Sequence, residues 1–238
     1  IRYFTPLFGD EFLRKIHRNR LIMPFYHAVS DRPPTHLRNL YRIPSPEEFG
    51  RDLDYFCSRY EVLSPDIFLE DEPVHKHAGV VFSFDDGLRE VKDFILPVLK
   101  EKGISAIFFV NNDFIGNRAM FYRYKVSLLC EGLEDRVKRE KLEAFFGKGD
   151  GSMPAGKETL RMLLDELSWK HSPLVDRLCD EMEIDIPGYL KEQKPYLDET
   201  EIKEIIAQGH FVGAHSFDHP EFKDLEYPDQ MRQVLEST

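Results

Sequence analysis

The segment that most constrains the fold is the apolar run at residues 80–84, which leads directly into two acidic residues. Its sequence, Val-Val-Phe-Ser-Phe, is β-branched or aromatic apart from Ser83, as expected for a strand buried on both faces. Asp85, Asp86 and Gly87 follow at once. Asp-Gly is also a common turn signal, because Asp bonds to nearby backbone and Gly accepts a positive φ angle. Taken alone, the segment predicts a buried strand that ends in a turn.

A helix and a second buried strand follow this turn. Apolar residues at helical spacing predict a helix that runs to about Lys102, and Gly103 stands where a C-cap glycine belongs. Residues 104–110 form another apolar run. Strand, helix and strand in this order predict a βαβ unit, which requires parallel pairing and a right-handed crossover. We therefore expect an α/β fold with a parallel sheet.

The remaining patterns divide the chain into a strand-bearing part and a helical stretch. Between residues 117 and 196 strand signals vanish, which predicts a helical insertion within a single domain at 1–238. The predicted helical segments there are 125–131, 134–146, 157–166 and 172–183. Elsewhere we predict helices within 1–20, from Ser45 and at 198–207, strands at 21–27, 60–63 and 210–214, and loops at 28–44 and 70–77.

Composition excludes several classes of partner. Hydrophobic content of 42% with 32% charged residues predicts a folded globule, and no apolar run approaches the roughly 18 residues of a membrane span. The net charge of −11 argues against nucleic acid or an anionic membrane surface as partner. Three separated cysteines lack metal-type spacing and favour a reducing, cytoplasmic location. A secreted or cell-envelope location stays open, since a removed signal peptide would also leave no initial Met.

Two histidines four residues apart follow the strand predicted at 210–214. On a helical turn, this spacing would place the imidazoles of His215 and His219 on one side. Two imidazoles and one carboxylate are a common ligand set for a divalent metal, typically zinc. The pair is not the metalloprotease helix motif, because Ser216 stands where that motif requires Glu. In a parallel barrel the carboxyl ends of all strands share one face, so the two acids and the two histidines can converge there.

The two segments together resemble a known family, the polysaccharide deacetylases or carbohydrate esterase family 4, whose fold is the NodB homology domain. Residues 82–87 resemble the first motif of the family, and residues 215–219 resemble the second, His-Ser/Thr-x-x-His. The resemblance covers about 22–116 and 197–238 but not the helical stretch between them. Supporting similarities lie at 25–27, 46–49, 103–110 and 209–214.

The resemblance implies a distorted (β/α) barrel of parallel strands, with residues 117–196 as the helical insertion. It implies that Asp86, His215 and His219 bind a divalent metal, zinc first and cobalt, nickel or manganese as alternatives. It also implies that Asp85 is the general base, which accepts a proton from the attacking water. The implied reaction is the removal of acetyl groups from an N- or O-acetylated carbohydrate.

Two further residues are candidates for lining this site. His27 ends the first predicted strand, although a hydrogen-bonded structural role is the stronger expectation for it. Ser216 lies between the two predicted histidine ligands. Two other functions stay open: hydrolysis of a small non-sugar amide, and metal or sugar binding without catalysis.

The family has three further motifs after the second one, including the histidine that acts as general acid. The sequence ends at Thr238, soon after His219. We therefore expect a chain that is truncated at its C-terminus. Completion of the fold by an oligomer, or by the helical insertion, stays open as an alternative.

Overall fold

The computed structural model describes residues 21–69, 79–147 and 156–238, as two compact units of a mixed α/β protein. The helix predicted within 1–20 and the loop predicted at 70–77 lie outside these residues. Among the described residues, unit 1 consists of the chain up to Ser30, of Pro44–Val110 and of Glu199–Gly213. Unit 2 takes in Asp31–Ile43, Asn111–Asp198 and Ala214–Thr238.

The strands are short and form two sheets. They are β1 (Leu21–Ile22), β2 (Phe25–Tyr26), β3 (Glu61–Val62), β4 (Gly79–Val80), β5 (Phe82–Phe84), β6 (Ala106–Val110) and β7 (Phe211–Ala214). One sheet has the order β1-β4-β3 and the other the order β2-β5-β6-β7. Strand β4 pairs in parallel with β1 and β3, and β5 pairs in parallel with β2 and β6. The predicted parallel α/β class and βαβ unit are confirmed, and the described strands stand as two sheets.

The single strands predicted at 21–27 and 80–84 are each divided in two. Pro24 separates β1 from β2, because proline has no N–H to donate to a ladder. Val81 separates β4 from β5, although its own N–H still donates to the Ile22 carbonyl at 3.0 Å. Each predicted strand thus passes from the three-stranded sheet to the four-stranded sheet.

Aromatic rings from β5 and its neighbours fill the core of unit 1. The fully buried Phe84 ring stacks on Phe108 with centroids 5.0 Å apart and meets Phe49 edge to face at 5.9 Å. Phe82 meets Phe56 edge to face at 5.7 Å. Burial on both faces explains why two of the three residues of β5 are phenylalanine.

The helices and helical turns of unit 1 are Pro46–Cys57, the 3₁₀ turn Pro65–Leu69, the π-helical turn Val91–Ile95, and the helices Leu96–Lys102 and Glu199–Ala207. The first begins after Ser45 and Leu96–Lys102 ends before Gly103, as predicted. The Ser45 hydroxyl accepts a hydrogen bond from the Glu48 N–H at 3.2 Å, and the Glu48 carboxylate accepts one from the Ser45 N–H at 3.2 Å. This reciprocal capping box confirms the helix start predicted there.

Unit 2 is helical, as predicted for the stretch at 117–196. Its helices are Thr35–Arg38, Tyr122–Gly132, Arg136–Gly147, Lys157–Asp165, Ser172–Glu181, Ile186–Gln193 and Tyr227–Glu236, with 3₁₀ turns at Ile115–Asn117, Trp169–His171 and Phe222–Asp224. The single domain at 1–238, with 117–196 as an insertion, stays a prediction. None of the described helices is both long and apolar enough to cross a membrane.

Two helices of unit 2 form in segments whose sequence argues against a helix. Thr35–Arg38 is a single turn inside the segment expected to be a loop. Ile186–Gln193 contains Pro187 and Gly188, which normally interrupt helices. Here proline occupies the first turn, where no N–H partner is needed, and the Asp185 carboxylate caps the helix by accepting from the Gly188 N–H at 2.9 Å.

Candidate functional site

Residues 85–87, which we call the acid turn, continue directly from β5 in unit 1. The Asp85 N–H donates to the Tyr26 carbonyl at 2.9 Å, so the parallel ladder with β2 extends to the first acid. The chain then reverses through two left-handed residues, Asp86 with φ 71° and Gly87 with φ 61°. Asp is one of the few non-glycine residues that adopts this conformation routinely. The sequence Asp-Asp-Gly therefore fits the backbone that the turn requires.

The two acids of the turn have different environments. Asp86 is only 4% exposed, whereas Asp85 is half-buried. A buried carboxylate is stable as an anion only with hydrogen bonds, an opposite charge or a metal ion to compensate for lost water. The chemistry of Asp86 therefore suits a metal ligand, and that of Asp85 suits a base that exchanges a proton with water.

A third carboxyl group lies one helical turn further along the chain. Burial raises the pKa of Glu90 from 4.5 to about 7, and the neighbouring charge of Asp93 adds to the increase. The Glu90 Oε2 atom is buried and has no hydrogen-bond partner among the described residues. Burial therefore makes the Glu90 carboxyl group harder to ionise than an exposed glutamate.

Residues 215–219, which we call the histidine loop, follow β7 and lie in unit 2. The helical turn considered for the two histidines is not formed, because Ser216 and His219 have left-handed φ angles of 66° and 62°. The two imidazole rings are nevertheless close, with centroids 4.8 Å apart and planes at 76°. The Ser216 hydroxyl accepts from the His219 N–H at 3.2 Å and so closes the loop.

Buried amide side chains of unit 2 bind the backbone of the histidine loop. The Asn111 amide, 1% exposed, donates to the His215 carbonyl. The Gln233 side chain is completely buried, and its Oε1 accepts from the Phe217 N–H at 3.0 Å and the Asp218 N–H at 3.2 Å. Its Nε2 donates to Asp218 Oδ1 at 2.5 Å. Gln233 therefore satisfies both the backbone and a side chain of the loop.

Two aromatic residues also contact the histidine loop. Trp169 Nε1 donates to Asp218 Oδ2 at 3.2 Å, so both carboxylate oxygens of Asp218 accept a hydrogen bond. The Phe121 ring lies on the His219 imidazole, with centroids 4.4 Å apart. Neither these two aromatic residues nor the two amides carried a sequence signal for this role.

Two acidic side chains, Asp113 and Asp218, lie at the histidine loop. Burial raises the pKa of Asp113, and the negative charge of Asp218 raises it further, while Arg118 and Lys125 act in the opposite direction. The Asp113 N–H donates to the Phe217 carbonyl at 3.1 Å, which places this acid beside the loop.

The two candidate lining residues have local partners. His27 is half-buried just after β2, and its ring meets the Phe25 ring edge to face at 5.7 Å. The Ser216 hydroxyl bonds within the histidine loop, as described above. This bond gives Ser216 a role in the shape of the loop, whereas a role in lining the site stays a prediction for both residues.

Comparison with known proteins identifies the family. The family model described as polysaccharide deacetylase matches residues 74–238, which is more than two thirds of the chain. The chain belongs to the polysaccharide deacetylase family. The resemblance seen in the two motifs is thereby confirmed, and the match includes both the acid turn and the histidine loop. Polysaccharide deacetylases are hydrolases that act on amide or ester bonds of acetylated sugars.

Solved structures of other polysaccharide deacetylases have a distant likeness to this chain. The Streptococcus pyogenes deacetylase PplD, in complex with acetate, has a TM-score of 0.49 at 16% identity, covering 92% of this chain and 66% of that one. A polysaccharide deacetylase from Bacillus cereus has a TM-score of 0.47 at 13% identity, covering 90% and 44%. This polysaccharide deacetylase thus spans less than two thirds of either structure. No curated protein matches the chain.

Proposed function

We propose that this chain provides the acid turn and the histidine loop of an enzyme that deacetylates an N- or O-acetylated carbohydrate. The observation that carries the proposal is the family match at residues 74–238, because it spans both segments. The burial of Asp86 and the closeness of the two imidazole rings support it independently of the match.

We propose further that Asp86, His215 and His219 bind one divalent metal ion. Their donor atoms fit this role, since one carboxylate and two imidazoles suit zinc and also accept cobalt, nickel or manganese. Within unit 2, the imidazole rings of His215 and His219 have centroids 4.8 Å apart, which supports binding of one ion by both. A divalent metal bound there would supply Lewis acidity, which makes water more acidic and polarises a carbonyl oxygen.

In the proposed reaction, Asp85 is the general base. One of its carboxylate oxygens accepts a proton from the water that attacks the acetyl carbonyl carbon. The bond between the acetyl carbon and the sugar nitrogen or oxygen then breaks, and the leaving atom takes up the proton that Asp85 accepted, so that acetate and a free amine or hydroxyl group are released. Asp85 is half-buried, so this proton can pass to the leaving atom directly or by exchange through water.

Acetate release from acetylated chito-oligosaccharides tests the function. We expect activity that disappears on treatment with a chelator and returns with Zn²⁺ or Co²⁺. Asp85→Asn should lower the rate by about 10²–10⁴-fold while one metal per chain is retained, because only the base is removed. Asp66→Asn, a change at an exposed acid of the same unit, is the matched control and should leave the rate unchanged.

Two results would overturn parts of the proposal. Equal rates in wild type and Asp85→Asn would exclude Asp85 as the base. Unchanged metal content in the double variant His215→Ala, His219→Ala would exclude the metal site. Metal binding without acetate release from any carbohydrate would instead favour a small non-sugar amide as substrate, or binding without catalysis.

A further inference from the structure

We propose that Gln233 and Trp169 are positioning residues that orient the two histidines by holding Asp218 between them. This inference rests on the proposed function, because it assigns the orientation to metal binding. It concerns residues of unit 2 only: a buried glutamine of helix Tyr227–Glu236 and the indole of the 3₁₀ turn Trp169–His171.

The histidine loop cannot hold its own shape. It contains two non-glycine residues with left-handed φ angles, each of which costs on the order of 1–2 kcal/mol. It forms neither a helix nor a strand, so no ladder of backbone hydrogen bonds compensates for this cost. Such a conformation persists only where surrounding groups fix it.

Gln233 matches the hydrogen-bonding groups of the loop one by one. Its carbonyl oxygen accepts two adjacent backbone N–H groups, those of Phe217 and Asp218, at 3.0 and 3.2 Å. Its NH₂ group donates to Asp218 Oδ1. An amide is the side chain that can do both, because it carries an acceptor and a donor on the same carbon.

Asp218 links this amide to the helical stretch at 117–196. Its second oxygen, Oδ2, accepts from Trp169 Nε1 at 3.2 Å. The next residue along the chain is His219, one of the proposed metal ligands. A carboxylate bonded on both oxygens is fixed in orientation, and it fixes the backbone from which His219 projects.

Polarity of the hydrogen bonds allows a specific test. In Asp218→Asn, the new NH₂ group must face either the NH₂ group of Gln233 or the N–H of Trp169, so one bond is lost. In Gln233→Glu, two carboxylates face each other. In the double variant Asp218→Asn, Gln233→Glu, the new amide at position 218 can donate to the new carboxylate at position 233 and still accept from Trp169. All of the bonds can therefore form again, with the polarity of the bond between positions 218 and 233 reversed.

The measurement is metal affinity, with tryptophan fluorescence as the readout. Trp169 is the only tryptophan in the chain, so quenching by Co²⁺ reports on binding beside the histidine loop. We expect each single variant to bind Co²⁺ about 10–100-fold more weakly than wild type, the range typical for residues that orient metal ligands. We expect the double variant to recover to within a few-fold of wild type.

Gln230→Glu is the matched control, because this glutamine lies on the same helix but bonds to the carbonyls of Phe222 and Leu225. It should bind Co²⁺ like wild type. Thermal unfolding of the metal-free variants shows whether each is folded before its affinity is compared.

Trp169→Phe tests the hydrogen bond from the indole to Asp218. Because this variant lacks the fluorophore, its Co²⁺ affinity is measured by equilibrium dialysis, and a loss of up to about tenfold is expected.

The outcomes separate this inference from the proposed function. Wild-type affinity in both folded single variants, or a double variant as weak as the weaker single one, would overturn the positioning role while leaving the metal site intact. Absence of Co²⁺ binding by the wild type would overturn the metal site itself. Weak single variants with a restored double variant would establish the role, since a merely structural glutamine would not be rescued by reversing polarity.

Discussion

The acid turn and the histidine loop both use left-handed residues, but they are supported in different ways. In the acid turn the backbone ladder of β5 runs into Asp85, and Gly87 packs directly against Val110 of β6. In the histidine loop the support comes from side chains distant in sequence, chiefly Asn111 and Gln233. The first is held by the sheet and the core, and the second by hydrogen bonds from buried amides.

This difference predicts different consequences of mutation. Damage to the support of the acid turn should lower the stability of the whole of unit 1, because the same residues form its core. Damage to the support of the histidine loop should alter metal binding more than stability, because each hydrogen bond contributes only about 0.5–1.5 kcal/mol. The predictions that follow test this contrast, beginning with the largest effect.

The largest effect is expected from Phe84, the last residue of β5 before the acid turn. Its ring is fully buried and stacks on Phe108 at 5.0 Å and on Tyr26 at 6.0 Å. Phe84→Ala should lower the free energy of unfolding by about 3–5 kcal/mol, because it removes a large buried ring and leaves a cavity. Urea denaturation followed by circular dichroism measures the change.

Phe25→Ala is the control for this prediction. Phe25 belongs to the paired strand β2 but is 63% exposed, so its loss should change stability by less than about 1 kcal/mol. A similar small change for Phe84→Ala would show that the core does not support the acid turn.

The next largest effect is a dependence of stability on pH, which arises from a buried histidine of unit 2. His36 is 2% exposed, and burial lowers its pKa from 6.5 to about 4. Between these values the unfolded chain binds a proton that the folded chain does not, so stability decreases as pH falls from 6.5 to 4. The loss should reach about 3 kcal/mol near the lower value, since each pKa unit corresponds to about 1.4 kcal/mol.

His36→Gln should remove this part of the pH dependence, because glutamine does not titrate and can still bond to the Tyr189 hydroxyl, which lies 3.1 Å from His36 Nδ1. Unfolding measured at several pH values between about 4 and 7 checks the slope. His171→Gln, at an exposed histidine of the same unit, should leave the slope as in wild type. An unchanged slope in His36→Gln would contradict the prediction.

The sequence predicted the acid turn more completely than the histidine loop, and the reason is physical. A buried strand, two acids and a glycine determine a turn through contacts that are local in the chain. The shape of the histidine loop depends on Gln233 and Asn111, whose roles appear only when distant segments meet. A pattern of spacing alone therefore suggested a helical turn that the structure does not have.

The fold, too, was predictable only where the signals are local in the sequence. Capping and glycine signals at Ser45 and Gly103 were sufficient to place helix ends, because these signals act within one turn of the helix. The division of the predicted strand at 80–84 between two sheets was not predictable, since it depends on where the partner strand is interrupted by Pro24. The roles of Trp169 and Phe121 depend on packing within unit 2, which composition does not encode.

The smallest predicted effect compares two glycines of unit 1. One is needed only for its φ angle, and the other also because a neighbouring side chain leaves little room for a Cβ atom. Gly87 and Gly103 have nearly the same left-handed φ angles, 61° and 64°. A Cβ atom on Gly103 would meet nothing within 4 Å, whereas one on Gly87 would lie 3.0 Å from Val110 Cγ1. Gly103→Ala should therefore cost about 1 kcal/mol for the φ angle alone, and Gly87→Ala about 2 kcal/mol.

A double variant checks that the extra cost comes from this contact. Val110→Ala removes the methyl group that a Cβ on residue 87 would meet, so the penalty for Gly87→Ala should fall to that of Gly103→Ala in this background. The comparison uses unfolding free energies from urea denaturation. Equal losses of unfolding free energy for both glycine variants in the wild-type background would mean that β6 shifts to accommodate the new Cβ atom. The acid turn would then be supported less rigidly than its packing indicates.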